Sequence, residues 1–255
     1  MATENPTLHT LLSHRSIRKY QDKDIPQDVL DKILEAGIRA SNTGNMQVYS
    51  VVVTRSAAMK EKLSPLHFNQ PMIKQAPVVL TIAADVQRFH HWCAIHQAEK
   101  SYDNFLWFVC GCIDSTLFAQ NIAVAAESYG LGLCFLGTTL YNAEEIAQVL
   151  EMPEGVIPIN TLTLGYPAEN PPLTDRLPLK AVVHEEKYRA QSDGDIRELY
   201  HAMEHSDLTK KLLEENGLPN LAQIFTTKRY TKKDNMAISE KLLAFLKRGG
   251  FLQTF

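Results

Sequence analysis

The feature that most constrains the fold is a long segment, from Asn104 to Ser128, that is apolar on most of its sides. Its polar residues include Asp114, Gln120 and Asn121. A helix that is apolar nearly all round is buried. The segment therefore predicts a long helix covered either by the protein's own sheet or by a second subunit. Its uninterrupted apolar run, Phe105–Ile113, is much shorter than the about 18 residues that span a bilayer, so no membrane-spanning helix is predicted.

The other segments predict helices and strands that alternate. Pro26 suits the first turn of a helix, and the apolar residues that follow it recur on one helical face. Val78–Ala84 is a continuous apolar run, which is typical of a strand buried on both faces. Further strands are predicted at Tyr49–Thr54, Leu133–Leu136 and Ile159–Leu164, and further helices at Thr7–His14, Glu144–Leu150, Asp195–His205 and Asn235–Arg248. This alternation favours a sheet with helices packed on it.

Charge and cysteine usage exclude several classes of protein. The 255 residues carry 26 basic and 29 acidic side chains, a formal net charge of −3, so a surface built to hold nucleic acid is not expected. The four cysteines form no Cys-x-x-Cys pair and are too few for a disulfide framework. The first residues lack a secretion signal. A cytoplasmic protein with reduced core thiols is therefore expected.

The composition changes after the last predicted strand. Four prolines lie between Pro167 and Lys180, which predicts a stiff, irregular connection. The chain beyond His184 is polar. We therefore predict a core over residues 1–183 and an extension over 184–255 that lies on the core or on a neighbouring subunit.

The strongest local signal is the basic string His14-Arg15-Ser16-x-Arg18. Three cationic side chains and a hydroxyl could hold a phosphate through charge-assisted hydrogen bonds. By itself such a string is more often just a solvated basic turn. Other turn signals follow it in order: Ser41-Asn42-Thr43-Gly44-Asn45, Gly130-Leu-Gly132, Leu136-Gly137-Thr138, Leu164-Gly165-Tyr166-Pro167 and Arg176-Leu177-Pro178.

In this order and spacing, from about Leu8 to Phe251, the chain resembles the FMN-dependent nitroreductase and flavin reductase family, particularly its larger NADPH-type branch. The resemblance implies an α+β fold with a central sheet flanked by helices. It also implies an intertwined homodimer with an extended C-terminal arm and two FMN sites at the subunit interface. The long central helix would then be covered partly by its symmetry mate.

The resemblance also assigns residues to the flavin site. It implies that His14, Arg15, Ser16 and Arg18 hold the FMN phosphate and ribityl chain, with Arg176 as a second contact to the phosphate. Ser41 and Asn42 would contact the flavin from the partner subunit, and Gln70 would contact the isoalloxazine ring. The backbone N–H groups of Leu136, Gly137 and Thr138 would face the flavin. Two departures from the family pattern are Thr174, where relatives often carry lysine, and Ser239, where they carry an arginine that helps to bind NADPH.

The implied activity is transfer of a hydride from NAD(P)H through bound FMN to a small-molecule acceptor, namely a nitroaromatic, a quinone or free flavin. One shared site for both substrates would give ping-pong kinetics. Because the flavin carries the redox chemistry, no catalytic side chain is assigned. The alternatives are a flavin-binding carrier or sensor without turnover and a structural dimer without flavin. Lys228 and Arg229, with Lys232 and Lys233, are candidates for binding NAD(P)H or form a solvated basic face.

Two further patterns have simpler interpretations than the sites they suggest. The segment His90–His96 contains three histidines and Cys93, but the spacing fits no standard zinc site, so no metal is expected. We interpret it as a lid over the flavin with Phe89, Trp92 and Tyr102. The Gly130-x-Gly132 turn precedes a strand and is followed by Phe135 where a dinucleotide fingerprint has glycine, so a Rossmann site is not expected.

Overall fold

A four-stranded antiparallel sheet forms the centre of the molecule in a computed structural model that describes residues 5–100 and 103–252. Its strands are β1 (Tyr49–Thr54), β2 (Val78–Asp85), β3 (Gly132–Leu136) and β4 (Val156–Gly165), in the order β1-β2-β4-β3. All eight residues of β2 are buried, as its continuous apolar run predicts. The four predicted strands are thus confirmed, with β4 longer than expected.

The helices of the described residues are α1 (Pro6–Leu12), α2 (Gln27–Ile38), α3 (Ala57–Leu63), α4 (Pro71–Gln75), α5 (Gln87–Ile95), α6 (Phe105–Ser128), α7 (Ala143–Val149), α8 (Leu179–Val182), α9 (Asp193–Glu204), α10 (Asp207–Asn216), α11 (Leu221–Ile224) and α12 (Lys232–Arg248). Of these, α6 packs on one face of the sheet, and α3, α4 and α7 pack on the other. Short helical turns form at Thr43–Asn45, Ser64–His67, Gly137–Asn142 and Phe225–Arg229. The predicted helices are confirmed, and the predicted α+β class with them.

The long helix α6 lies in the core. Its inner residues Phe118 and Ile122 pack with α2 and with β2, and the Phe118 ring stacks on Tyr49 of β1 at 4.6 Å between centroids. Gly37 lets α2 approach closely, because a Cβ there would come within 2.7 Å of Ile122. Among the described residues, α6 is the one helix long and apolar enough to cross a bilayer by length and composition. Its packing is that of a core helix.

The outer face of α6 stays open in the single chain. Leu106, Ile113 and Leu117 are 64%, 53% and 41% exposed, and they lie on one side of the helix. The leucines of α1, at positions 8, 11 and 12, are exposed as well. We call this set the apolar stripe. The protein's own sheet thus covers the inner face of α6 as predicted, whereas its cover by a second subunit stays a prediction.

The chain divides into two compact units. One contains the described residues up to Pro172 together with those from Glu240 onward, and the other is Leu173–Ser239. The predicted boundary between residues 183 and 184 differs from this division. The second unit begins within the proline-rich connection, and the last residues return to the first unit. They return because Leu246 and Phe251 are buried in a cluster with Phe108 and Ile157.

Candidate functional site: a basic groove beside the sheet

The predicted basic string belongs to an extended segment, residues 14–20, that we call the strap. The strap is bound to the sheet by main-chain hydrogen bonds: the Ile17 N–H donates to the Leu133 carbonyl at 2.8 Å, and the Gln21 N–H to the Tyr166 carbonyl at 2.9 Å. The strap can lie this close to β3 because residue 132 is glycine, since a Cβ there would come within 2.5 Å of Ile17. The sheet therefore fixes the position of the strap.

One side of the strap lines a groove of about 850 Å³. This volume is typical of small-molecule sites. Arg18 and Gln70, two predicted flavin contacts far apart in sequence, both line it. The other lining residues are Lys19, Tyr20, Asp22, Pro71, Met72, Lys74, Gln75 and Ala168. With three cations and one carboxylate in this set, the groove favours an anionic ligand.

A buried histidine connects Gln70 to the predicted flavin-facing turn. His67 is fully buried, and its Nδ1 lies 2.7 Å from the Thr138 hydroxyl. Three residues later, Gln70 is the N-cap of α4. Gly137, beside Thr138, has no atom within 4 Å of the place where a Cβ would stand. The structure thus brings the Gly137–Thr138 turn and Gln70 together through a residue that sequence reasoning missed, because a lone histidine has no spacing signal.

Burial makes stability depend on pH through His67. Loss of hydration lowers the pKa of His67 to about 4 from its ordinary 6.5. Between these values the unfolded chain binds the proton and the folded chain does not, so stability is lost as pH falls. We expect wild type to lose about 3 kcal/mol of unfolding free energy through this group between pH 6.5 and 4. Urea denaturation across this range should show a shallower pH slope for His67→Gln, and an unchanged slope for His201→Gln, whose side chain is exposed.

The other residues of the predicted basic string make contacts elsewhere in the single chain. The Nδ1 of His14 lies 2.6 Å from a Glu127 carboxylate oxygen. The Arg15 guanidinium donates to the Asn170 side-chain oxygen at 2.6 Å and lines a separate cleft of about 360 Å³. Ser16 forms a backbone bridge with Leu133. The implied contacts of His14, Arg15 and Ser16 to FMN therefore stay predictions, and Arg18 is the residue of the basic string that lines the groove with Gln70.

The second set of predicted contacts, Ser41 and Asn42, lies near the middle of α6. The Thr43 N–H and hydroxyl each donate to the buried Asp114 carboxylate at 3.0 Å. Burial raises the pKa of Asp114, and the two bonds from Thr43 oppose that rise. Asp114 and Glu127, which holds His14 near the C-terminal end of α6, lie about 20 Å apart at about 1.5 Å of rise per residue. One chain therefore presents its two sets of contacts far apart along the same helix.

Comparison with known proteins shows the family to which the chain belongs. The model of the nitroreductase family matches residues 11–166, which contain the strap, Gln70 and the Gly137–Thr138 turn. The chain belongs to the nitroreductase family. The resemblance found in the sequence is thereby confirmed.

Several members of the nitroreductase family are similar over most of the chain. "FMN reductase (NADPH)" of Bacillus subtilis is 34% identical, over 80% of this chain and 82% of that protein. "Oxygen-insensitive NADPH nitroreductase" of Salmonella typhimurium is 32% identical, over 77% of this chain and 83% of that protein. A crystal structure from Bacteroides fragilis has a TM-score of 0.95 and 50% identity, over 96% of this chain and all of that one.

The other predicted site residues lie beyond the segment that matches the nitroreductase family model. Arg176 is exposed in the second unit and donates to the Thr174 hydroxyl at 2.6 Å. Thr174, at the position where the resemblance implies a lysine, is thus a partner of this guanidinium. Lys228 and Arg229 are exposed in the helical turn Phe225–Arg229. Their contacts to phosphate and to NAD(P)H stay predictions.

The predicted lid of this nitroreductase-family chain is the helix α5, which directly follows β2. Trp92 is largely exposed on it, and the ring centroids of Phe89 and Trp92 are 5.6 Å apart. Tyr102 lies outside the described residues. Among residues 5–100 and 103–252, no group of three or more His, Cys, Asp or Glu side chains is placed to hold a metal ion. The role of α5 as a lid stays a prediction.

Proposed function

We propose that this protein is an NAD(P)H-dependent FMN oxidoreductase that binds FMN in the basic groove. The observation that carries the proposal is the shared groove of Arg18 and Gln70 in a nitroreductase-family chain. The residues present fit FMN: Arg18 and Lys19 supply positive charge for a phosphate, and Gln70 supplies an amide donor and acceptor for a ring edge. Relatives named FMN reductase and NADPH nitroreductase support the same activity.

The chain's own task is to bind and orient the cofactor. FMN, held by Arg18, Lys19 and Gln70, would supply the redox chemistry between NAD(P)H and the second substrate. Gly137 keeps the backbone accessible, and the His67–Thr138 bond holds that turn beside Gln70. At neutral pH His67 is uncharged because burial lowers its pKa. His67 therefore positions the turn and adds no charge to the site.

The functional unit is a homodimer in which each chain completes the other's site. Ser41 and Asn42 would contact the FMN held by the strap of the partner. Their separation from the strap along α6 supports this arrangement, since one chain presents one set near the middle of the helix and the other near its C-terminal end. The exposed apolar stripe supports it further, because apolar surface of this kind is usually buried between subunits.

The acceptors we propose are nitroaromatics, quinones and free flavin, reduced by a ping-pong mechanism. Both substrates would bind at one open flavin face, so the first product leaves before the second substrate enters. We expect parallel lines in double-reciprocal plots when NADPH is varied at several fixed concentrations of a nitroaromatic. Intersecting lines would show that both substrates are bound at once and would contradict this mechanism. A matched series with NADH would show which nucleotide is preferred, and Lys228→Ala with Arg229→Ala would test the proposed contact to NADPH.

Anaerobic stopped-flow absorbance tests the proposed function directly. The purified protein should be yellow, lose its flavin absorbance on mixing with NADPH or NADH, and regain it on mixing with a nitroaromatic. A yellow protein that neither nucleotide bleaches would be a flavin carrier or sensor. A protein that stays colourless after incubation with FMN would contradict the proposal altogether.

A further inference from the structure

An aromatic side chain is held in an unfavourable backbone conformation two residues before Gln70, which lines the groove. Phe68 and Asn69 have consecutive φ values of +55° and +54°. This left-handed region is unfavourable for residues with a Cβ, and for a bulky side chain it is a true outlier. Among the described residues with positive φ other than glycine, Phe68 is the only aromatic one. Strain of this kind is frequent at functional sites.

The surrounding turns keep Phe68 in this conformation. His67 before it is tied to Thr138, and the Asn142 side-chain amide donates to the Leu66 carbonyl at 2.7 Å. The Asn69 N–H donates to the Ser64 carbonyl at 2.8 Å. The turn Ser64–His67 is therefore fixed to the turn Gly137–Asn142 at two points. The position of the Phe68 ring is set by the fold.

Burial of the ring does not explain the strain. Phe68 is 60% exposed in the chain, although large apolar side chains gain stability from being covered. Its ring lies against Tyr141, with 6.3 Å between centroids and 44° between planes. The two rings extend from the segments proposed to contact the flavin: Phe68 precedes Gln70 by two residues, and Tyr141 follows Thr138 by three.

We propose that Phe68 and Tyr141 form a stacking surface for the second substrate and make the enzyme selective for planar aromatic acceptors. This inference rests on the proposed function and adds the residues that choose among acceptors. Aromatic rings attract one another in offset or tilted arrangements, with little demand for a particular substituent pattern. A surface of this kind accepts nitroaromatics and quinones alike. It gives no advantage to an acceptor without a planar ring.

The decisive variant is Phe68→Gly, because glycine removes the ring and also suits the left-handed backbone. Loss of the ring should raise the KM for a nitroaromatic and for a benzoquinone about tenfold. Ferricyanide, which has no aromatic ring, should keep its KM and kcat. The same NADPH-reduced enzyme serves every acceptor, so an effect on the reductive half-reaction would change all three. Phe68→Tyr keeps a ring and should retain wild-type KM values.

Glu151→Gly is the matched control for the backbone. Glu151 has a φ of +53° and is exposed, so its replacement makes the same backbone change without removing a ring. Its KM values should equal those of wild type, and thermal unfolding should show that both glycine variants are folded. Tyr141→Ala should raise the aromatic KM as Phe68→Gly does, while Tyr141→Phe should not.

The possible outcomes separate this inference from the proposed function. An unchanged KM for aromatic acceptors in Phe68→Gly would overturn the stacking surface. An equal rise in the KM for ferricyanide would overturn it too, since the substitution would then affect the flavin site in general. If NADPH and NADH fail to reduce FMN-loaded wild type, the proposed function is wrong and the stacking surface with it. A KM that rises for the planar acceptors and not for ferricyanide supports both the stacking surface and the proposed function.

Discussion

Replacing Leu117 with arginine is expected to convert the protein into a monomer that does not retain FMN. Leu117 lies in the apolar stripe of α6, where it is 41% exposed in the single chain. In the proposed dimer this position is covered by the partner. A guanidinium buried there without a counter-ion costs several kcal/mol, because the lost hydration is not replaced. Loss of the dimer also removes Ser41 and Asn42 of the partner from each flavin site.

Analytical ultracentrifugation and the flavin absorbance of the same purified sample measure both effects. Gln148→Arg on α7 is the control, since it adds the same charge at an exposed position outside the apolar stripe. It should remain a dimer and stay yellow. A Leu117→Arg protein that is still dimeric would show that the stripe is not the interface. A colourless dimer would show instead that α6 acts on FMN without setting the assembly.

The parts of the fold that the sequence predicted are those with a strong local pattern. β1 and β2 have β-branched or continuous apolar runs, and α6 is apolar over six turns, so each is recognisable without its neighbours. The helices α3, α4 and α5 were not predicted. They are five to nine residues long, and contacts with the rest of the chain stabilise them. For α3 and α4, the buried residues Leu63 and Ile73 make those contacts.

The boundary between the units was missed for a related reason. The residues after Glu240 follow a long polar stretch and look like the end of the same arm. Only the pairing of Leu246 and Phe251 with Phe108, far away in sequence, assigns them to the first unit. No local sequence pattern indicates a contact between residues so far apart.

The candidate site, like the fold, has a part that could be predicted from the sequence and a part that could not. The charged and glycine-containing segments could be found because phosphate binding demands certain residue types. The hydrogen bonds that hold these segments in place could not be found from the sequence. His67 is bonded to Thr138, and Asp114 is bonded to Thr43, and in each pair about 70 residues separate the two partners. The direction of Arg15 was also unpredictable. Its guanidinium is bound by Asn170, which the sequence places after the last strand.

Arg18→Ala and Arg176→Ala are each expected to weaken FMN binding about ten- to a hundred-fold. A hydrogen bond to a charged group contributes about 1.5–3 kcal/mol, which corresponds to this range of affinity. Arg18 lines the groove, and its main-chain N–H donates to the Glu169 carboxylate at 2.6 Å, which fixes the residue to the strand connection. Removing its guanidinium leaves Lys19 and Lys74 as the cations of the groove, beside Asp22.

Fluorescence titration of the apoprotein with FMN measures the loss, and riboflavin separates its cause. Riboflavin lacks the phosphate, so both variants should bind it as wild type does if their guanidinium groups contact only that phosphate. Arg197→Ala, at an exposed position of α9, is the control and should bind FMN normally. Equal losses for FMN and riboflavin in Arg18→Ala would mean that Arg18 acts on the ring or on folding. If Arg176→Ala alone binds FMN as wild type does, the phosphate site is restricted to the groove. If both variants bind FMN as wild type does, there is no basis for placing the phosphate in the groove.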